Sequence, residues 1–326
     1  MPIDSPDLTV VVVTPLRFAQ LRRTVRHLRE QSVAHRVELV IVAPTDDAVA
    51  DHRPGELDGF WAVEIVPVGP IPNVDKASAS GVHAARAAVV ALVEDHAFVQ
   101  PGWAEAIVRA HKSDDEVIGS VILNANPRRM LSWVNILVAY GPWTDAARAG
   151  PIDCLPGHNI TYKRDVLTGY GRHLPDRLGR DGGLLTDLAA EGARFRLEPE
   201  AAIAHVNPSI LRATVDLRFS AGRLYGHMRA ESEGWSRAKR LLYVAGGPLI
   251  PAVRFKRFHD EYFASGRRRD ITPRVYPALA LGLALDGIGQ MAGYCAGPGH
   301  TVEKLAVFEM DRLQHITAGE RRDIAE

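Results

Sequence analysis

Short apolar runs alternate with amphipathic segments from Leu8 to about Val206. The first run, Leu8 to Val13, is continuous and rich in β-branched residues, which is typical of a strand covered on both faces. The next segment, Arg17 to Glu30, carries apolar residues at helical spacing with basic residues between them. Because strands that alternate with helices form parallel sheets, the pattern predicts an α/β domain with a mostly parallel central sheet and helices on both faces.

The remaining elements follow from the same periodicity and from the turn residues between them. Pro101 and Gly102 are placed to open a helix that runs to about His111. Residues 124–156 mix tryptophan, proline and glycine without periodicity, and we expect a long loop region near a functional site. Further helices are predicted at 81–88 and 182–191, and further strands at 37–42, 61–68, 89–93, 117–123 and 195–206.

Composition narrows the classes of function. The chain has 39 Lys and Arg against 39 Asp and Glu, so its formal net charge of zero gives no electrostatic basis for binding nucleic acid. Its two cysteines, Cys154 and Cys295, have no partner at metal or redox spacing, which fits a reducing compartment. The first residues lack the features of a signal peptide, and no uninterrupted apolar stretch reaches the roughly 18 residues of a spanning helix. We therefore expect a cytoplasmic protein.

Three consecutive metal-capable side chains, Glu94, Asp95 and His96, follow the predicted strand at 89–93. In an open parallel sheet, ligands bind beyond the carboxyl ends of the strands, which is where this triplet is expected. Carboxylate oxygens suit Mg²⁺ or Mn²⁺, and the imidazole shifts the preference toward Mn²⁺. Such an ion would hold a diphosphate and neutralise the charge that grows as it leaves. A polar turn that caps the next helix is the alternative interpretation.

Further polar residues follow the triplet in a characteristic order. After the helix led by Pro101 come a Gly-X-Asn step with an aromatic and a basic pair behind it, an aspartate that opens a helix closed by glycine, and a histidine after the last strand. The residues are Gly157-His158-Asn159, Tyr162-Lys163-Arg164, Asp181, Leu184, Gly192 and His205. Over about residues 8 to 210, this order resembles the family 2 inverting glycosyltransferases of the GT-A fold.

The resemblance implies a hexosyltransferase-type enzyme with a nucleotide-sugar donor, a divalent metal (Mn²⁺ or Mg²⁺) and a saccharide or lipid-linked acceptor. It places the triplet Glu94-Asp95-His96 on the strand-end acidic motif that holds the metal in this family. It places His205 on the histidine that completes the metal and diphosphate site. A core or strand-end histidine is the alternative for His205.

The resemblance also implies the base. It places Asp181 on the family's catalytic base, which takes the proton from the acceptor hydroxyl when the anomeric carbon inverts. An N-cap for the helix that follows is the alternative role for Asp181. In the family a glutamate precedes this aspartate, whereas this chain has Arg180. His158 and Asn159 are expected on the acceptor or donor-sugar side.

The donor site is expected where the first strand ends. Thr14 and Pro15 match the position at which the family holds the nucleoside. Arg17 and Lys76 follow strand ends and could meet phosphates, with solvated surface side chains as the alternative. Residues 43–45, Ala-Pro-Thr, stand where the family usually carries the acidic pair that reads uracil, so the base of the donor stays open.

The chain changes character beyond about residue 210, which predicts a GT-A domain at 1–210 and a helical C-terminal extension at 211–326. A basic segment precedes the apolar stretch Val275 to Ala296, which Asp286 and Gln290 interrupt. The stretch resembles the C-terminal segments of some bacterial members of the family. The stretch could lie at the inner face of the membrane and bring the enzyme to a lipid-linked acceptor. A buried helix or a dimer contact is the alternative.

Two other functions compete with glycosyl transfer. A sugar-phosphate nucleotidyltransferase shares the fold class, but it would need a Gly-rich loop after the first strand, where this chain has Thr14-Pro15-Leu16-Arg17. A catalytically silent domain that serves as a partner or membrane scaffold would account for the altered metal triplet. Dehydrogenase and kinase functions have no support, because the sequence has no Gly-rich phosphate loop of either type.

Overall fold

The computed structural model describes residues 5–144, 149–179, 183–264 and 271–325. The chain divides into two compact units. The first comprises residues 1–125, 140–206 and 321–326, and the second comprises 126–139 and 207–320. The division at residue 210 stays a prediction about which parts of the chain fold independently.

The first unit is built on a sheet of nine strands within the described residues. These are β1 (Leu8–Val13), β2 (Val37–Ala43), β3 (Ala62–Pro67), β4 (Val89–Val93), β5 (Ala97–Val99), β6 (Val117–Asn124), β7 (Gly150–Ile152), β8 (Ile160–Lys163) and β9 (Phe195–His205). Their order across the sheet is β3-β2-β1-β4-β8-β6-β9-β5, and β7 pairs with β9.

The sheet is mixed around a parallel half. Strands β3, β2, β1 and β4 are parallel neighbours, and β6 is parallel to β9. Strand β8 runs antiparallel to both β4 and β6, and β5 and β7 run antiparallel to β9. The α/β class is therefore confirmed, and the antiparallel strands lie in the half where the sequence was least periodic.

The helices are mostly short in the first unit and long in the second. They are α1 (Phe18–Arg29), α2 (Val74–Ala84), α3 (Trp103–Ala110), α4 (Met130–Tyr140), α5 (Arg164–Thr168), α6 (Leu174–Leu178), α7 (Leu184–Ala190), α8 (Leu211–Ser232), α9 (Arg237–Ala245), α10 (Leu249–Phe258), α11 (Tyr276–Ala296), α12 (Thr301–Met310) and α13 (Ala318–Ala325). The prediction that 124–156 is all loop was wrong, because α4 lies inside it.

Strands β1 and β2 are buried at every position, as expected of strands covered on both faces. Helix α2 lies close against β1, and Gly81 is the point of closest approach. A Cβ atom at Gly81 would lie 2.4 Å from Val11 Cγ1, so only glycine fits there. The predicted helix at 81–88 was displaced: it begins at Val74, where the Asn73 side chain accepts a hydrogen bond from Lys76 N, and it ends at Ala84.

A buried carboxylate fixes the chain between α2 and β4. Glu38 lies inside β2 with a fully buried side chain. Its carboxylate accepts hydrogen bonds from Thr9 Oγ1 (2.6 Å), Arg86 N (2.8 Å) and Arg86 Nη1 (2.5 Å). Because Arg86 is held in this way, residues 85–88 cannot continue the helix and instead lead directly into β4.

In the second unit, α8 and α11 touch backbone to backbone. A Cβ atom at Gly222 would lie 2.1 Å from Asp286 O, and one at Gly289 would lie 2.2 Å from Phe219 O. Both helices therefore need glycine at their contact. Residues 273–296 are long and apolar enough to cross a membrane, but 44% of the most apolar window is buried within the structure. Length and composition alone make this weak evidence for a span.

Candidate functional site

The parallel strands bring their carboxyl ends to one edge of the sheet. Val12 of β1 pairs with Val93 of β4, and Val13 pairs with Val42 of β2. Thr14 and Glu94 therefore follow neighbouring strands at the same edge, where ligands bind in open α/β sheets. Thr14 is buried: its N–H donates to Val42 O (2.9 Å) and its hydroxyl donates to Arg17 O (3.1 Å).

The short strand β5 brings a distant histidine to this edge. Ala97, directly after the triplet, pairs antiparallel with His205 at the end of β9. The N–H of Val206 donates to His96 O (3.1 Å), and the N–H of Ala125 donates to His205 O (3.0 Å). The backbone of His205 is thus held between two strands, and its ring is buried against the triplet.

Glu94, His96 and His205 form a compact cluster. Their ligand atoms all lie within 4.8 Å of one another. His205 Nε2 lies 3.2 Å from Glu94 Oε2, and His96 Nε2 lies 3.8 Å from Glu94 Oε1. The two imidazole rings meet edge to face with 5.0 Å between their centroids. One carboxylate and two imidazoles thus converge on a single point inside the first unit.

Asn159 holds the Glu94 side chain in place. Its Oδ1 accepts from Glu94 N (3.1 Å), and its Nδ2 donates to Glu94 Oε2 (2.5 Å). Asn159 has a left-handed backbone with φ of 57°, a conformation that asparagine tolerates better than most residues. The remaining oxygen, Glu94 Oε1, is buried and makes no hydrogen bond to any described residue. A buried carboxylate oxygen without a donor is costly unless a ligand binds it.

Asp95 lies behind His96 in this cluster. Its Oδ1 lies 2.8 Å from His96 Nδ1, which assigns the ring proton to that nitrogen. The main-chain oxygen of Asp95 accepts from Thr24 Oγ1 (2.6 Å), which fixes the turn. His96 Nε2 is therefore left with its lone pair on the side of Glu94. This is the usual arrangement of a metal-binding histidine with a supporting carboxylate.

The electrostatics of the cluster favour a charged carboxylate. Burial alone would raise the pKa of Glu94, but the neighbouring histidines His158, His96 and His205 outweigh it and hold that pKa well below its usual value. His158 Nδ1 lies 3.6 Å from Glu94 Oε1 and 3.5 Å from Asp75 Oδ1. The Glu94 carboxylate is therefore ionised at neutral pH.

A divalent ion such as Mn²⁺ fits these donors. A carboxylate oxygen with two imidazole nitrogens is a set that first-row divalent metals accept, and the imidazoles favour Mn²⁺ over Mg²⁺. The buried, unbonded oxygen of Glu94 supplies a coordination position that no described protein donor fills. Asp95, predicted as a ligand, instead directs its carboxylate to His96.

The other predicted residues lie as follows. Pro15 is buried beside Thr14, whereas Arg17 is exposed at the start of α1. The N-terminus of α1 is already occupied, because the Asp51 carboxylate accepts from Phe18 N (3.1 Å) and Ala19 N (3.2 Å). A phosphate at that helix end would have to displace it.

Lys76 does not join the cluster in the described structure. Lys76 Nζ forms an exposed ion pair with Asp176 at 2.9 Å, which favours its alternative role as a surface side chain. Asp181 lies outside the described residues. The glycine expected behind it is present, since Gly192 follows α7 with φ of +87° and its N–H donates to Ala189 O.

Two residues of the site carry no recognisable signal in the sequence. Asp75 reaches His158 from the first turn of α2, and the Tyr140 ring packs on His205 with 5.0 Å between centroids. Asp75 is one of many acidic residues in helix first turns, and Tyr140 lies in the stretch predicted as loop. Only their places in the fold identify them.

The comparisons with known proteins agree with the fold. The sequence matches no protein-family model and no curated protein. The structure is similar to a mannosyltransferase from Pyrobaculum calidifontis solved with GDP-Man and Mn²⁺, with TM-score 0.56 and 16% identity, covering 90% of this chain and 88% of that one. GalNAc-T7, solved with UDP, GalNAc and Mn²⁺, gives TM-score 0.44 and 13% identity over 61% of this chain and 43% of the other. The likeness to the mannosyltransferase is one of fold, and this chain has a GT-A glycosyltransferase fold.

Proposed function

We propose that this chain is a metal-assisted glycosyltransferase that moves a sugar from a nucleotide-diphosphate donor to an acceptor with inversion. The observation that carries the proposal is the buried cluster of Glu94, His96 and His205 at the carboxyl edge of the parallel strands. The cluster occurs in a fold of which one solved example was captured with GDP-Man and Mn²⁺.

Glu94, His96 and His205 would hold the ion, with Asp95 and Asn159 keeping two of them in position. When bound, a divalent cation neutralises the charge that develops on a leaving diphosphate. The protein's own part is to keep Glu94 ionised and to fix the direction of His96 Nε2. Both tasks are complete before a donor arrives, so the ion would meet a preorganised set of ligands.

The donor would lie along the same edge of the sheet. Thr14 and Pro15 would line the nucleoside pocket at the end of β1. His158, held between Asp75 and Glu94, would face the diphosphate or the donor sugar. Residues 43–45 offer no acidic pair for uracil, and the mannosyltransferase with its GDP-Man puts guanine among the bases to test.

Inversion requires a base on the face of the sugar opposite the leaving diphosphate. Asp181 is our candidate, because it precedes α7 in the sequence as the family pattern requires and Gly192 closes that helix. It would take the proton of the acceptor hydroxyl while the oxygen attacks the anomeric carbon. We place the enzyme in the cytoplasm, peripheral to the inner face of the membrane, with a saccharide or lipid-linked acceptor.

Ligand-dependent stability provides the test. The full chain is melted with UDP-, GDP- and dTDP-sugars, each with and without Mn²⁺. A donor at about 100 times its Kd stabilises a protein by about 2.7 kcal/mol, which for a chain of 326 residues raises Tm by roughly 4 °C. We expect one donor to do so only with Mn²⁺, and Glu94→Gln to abolish the shift.

Glu105→Gln is the matched control, since Glu105 is a carboxylate of α3 hydrogen-bonded to the exposed Ser32. It should keep the wild-type shift. The responding donor is then tested for release of nucleoside diphosphate, which Asp181→Asn should stop without changing the shift. No response to any nucleotide, with or without metal, would refute the proposal and leave a silent scaffold as the function.

A further inference from the structure

Helices α9 and α10 are joined by the short turn at residues 246–248, and we call this helix–turn–helix segment the hairpin. It presents aliphatic side chains to solvent. Leu241, Leu242, Leu249 and Val253 have 65%, 69%, 68% and 50% of their surface exposed. We call these four residues the hairpin face. All four lie between residues 241 and 253, so exposed large apolar side chains are concentrated in this one segment of the second unit.

The exposed leucines are not needed to pack the hairpin. Its inward side is formed by Tyr243, Val244 and Ile250, which pack on Trp235 and Tyr294 in a small core of the second unit. Leu249 and Val253 are four residues apart, so they lie on the same side of α10. The hairpin is thus apolar on both sides, and one of those sides has no partner within the described residues.

The hairpin also carries an unusual excess of positive charge. Residues 237–258 contain six basic residues and no acidic one. Four of them have acidic partners outside the stretch: Lys239 lies near Glu233, Arg240 near Glu231, Lys256 near Asp260 and Arg254 near Asp286. Counting those four acids against the six basic residues leaves a net charge of +2. The six basic residues are Arg237, Lys239, Arg240, Arg254, Lys256 and Arg257.

An apolar cleft adjoins this face. It has a volume of about 670 Å³ and lies between α10 and α11, lined by Phe255, Tyr276 and Ala280 among others. Lys256 stands at the same cleft with an exposed ammonium group. A cleft with apolar walls and a cation beside it suits a lipid, whose chain is apolar and whose headgroup is anionic.

We propose that the hairpin face docks on an anionic lipid bilayer, with the four aliphatic side chains entering the interface and the basic residues meeting the headgroups. Aliphatic side chains beside lysine and arginine are the composition of interfacial helices. A second copy of this chain is disfavoured as the partner, because it would bring two basic hairpins together. The inference does not depend on the proposed transfer reaction.

The face is different from the apolar stretch that the sequence singled out. Within α11, Asp286 Oδ1 accepts from Gln290 Nε2 (2.8 Å) and forms an ion pair with Arg254 of α10. This polar network and the backbone contact with α8 hold one side of α11 within its unit. We place the membrane contact at α9 and α10 and not at 275–296.

Vesicle flotation tests the proposal with the full chain. Two vesicle types are used, phosphatidylcholine alone and phosphatidylcholine with about one third phosphatidylglycerol, at about 0.1 M and about 1 M salt. We expect binding to the anionic vesicles at low salt, at least tenfold weaker binding to the neutral ones, and strong weakening at high salt.

Serine substitutions locate the contact. Leu241→Ser and Leu249→Ser should each weaken vesicle binding about tenfold, because each removes one aliphatic side chain that would enter the membrane on docking. Leu211→Ser and Val307→Ser are matched controls from the same unit, with 56% and 59% of their surface exposed, and should change binding less than about twofold. Arg257→Gln should weaken binding about fivefold.

Several results would overturn the proposal. These are the absence of binding to anionic vesicles, equal binding to both vesicle types, or equal effects of the hairpin and control substitutions. If sedimentation shows a dimer that Leu241→Ser dissociates, the hairpin face is a contact between two copies of this chain, and the membrane proposal is also overturned. The Tm of each variant is measured without any ligand. An unchanged Tm beside lost flotation confirms that the variants are folded, whether or not a donor binds.

Discussion

Asn159 offers the sharpest test of the site, because it supports Glu94 without being a candidate ligand. Replacing it by glycine keeps the left-handed backbone with φ of 57° but removes the side chain. Glu94 then loses the donor to Oε2 at 2.5 Å, and its own N–H loses the acceptor at 3.1 Å. We therefore expect an effect on both stability and metal binding.

The magnitudes follow from those two bonds. A hydrogen bond to a charged group contributes about 1.5–3 kcal/mol and a neutral one about 1 kcal/mol, so Asn159→Gly should lower the free energy of unfolding by about 2.5–4 kcal/mol. Asn159→Ala should cost about 1 kcal/mol more, because alanine is strained at this φ. Loss of a residue that orients a ligand typically weakens metal binding 10- to 100-fold, and we expect this for Mn²⁺.

Denaturant unfolding measures the first effect, and the rise of Tm with Mn²⁺ concentration measures the second. The glycine and alanine variants should differ in stability but bind Mn²⁺ equally. The methyl group of alanine adds backbone strain, and neither side chain can hold Glu94. A glycine variant with wild-type Mn²⁺ affinity would refute the role of Asn159 in holding Glu94. So would one whose unfolding free energy stayed within about 0.5 kcal/mol of wild type.

Three further predictions concern the scaffold. Burial, and then the charge of Lys163, lower the pKa of His111 from 6.5 to about 4. The stability that the neutral imidazole contributes is therefore present above pH 6.5 and lost as the pH falls toward 4. Urea unfolding at pH 4.5 should show a free energy of unfolding about 2.5 kcal/mol lower than at pH 7, and His111→Asn should reduce that loss. Arg86→Met should destabilise by about 2–3 kcal/mol in urea, because it leaves the buried Glu38 charge without its cation, and Glu38→Gln in that background should recover part of the loss. Gly222→Ala should lower Tm, since its Cβ would meet the backbone of α11, and should cost about 1–3 kcal/mol or more, whereas Gly319→Ala, with open space around it, should not destabilise.

Much of the first unit was predictable, because its parallel strands are buried on both faces. Continuous apolar runs as short as Leu8–Val13 and Val89–Val93 indicate buried strands of a parallel sheet. The triplet at the end of β4 follows from the strand, and its place at the ligand-binding edge follows from parallel topology. Gly192 after α7 could be read from helix-end chemistry alone.

The elements that could not be predicted from the sequence show no hydrophobic periodicity. Helix α4 has the sequence MLSWVNILVAY, which is apolar on most sides, so no amphipathic stripe distinguishes it from a buried loop. Strand β5 has three residues, too few for any alternation to be seen. Yet β5 is what pairs Ala97 with His205, so the metal cluster depends on the element that the sequence could least reveal.

In the triplet Glu94-Asp95-His96, the sequence pattern suggests more metal ligands than the structure brings together. Three consecutive metal-capable residues suggest three ligands, but consecutive side chains after a strand point in different directions. Glu94 and His96 face the same point, while Asp95 takes the proton-bearing nitrogen of His96. Because the third residue of the triplet is a histidine, it needs the preceding Asp95 to hold its ring, whereas an aspartate at position 96 would need no such support. Asp95→Asn should consequently weaken Mn²⁺ binding while His96 stays in place, and an unchanged Mn²⁺ affinity would return Asp95 to the role of a simple turn residue.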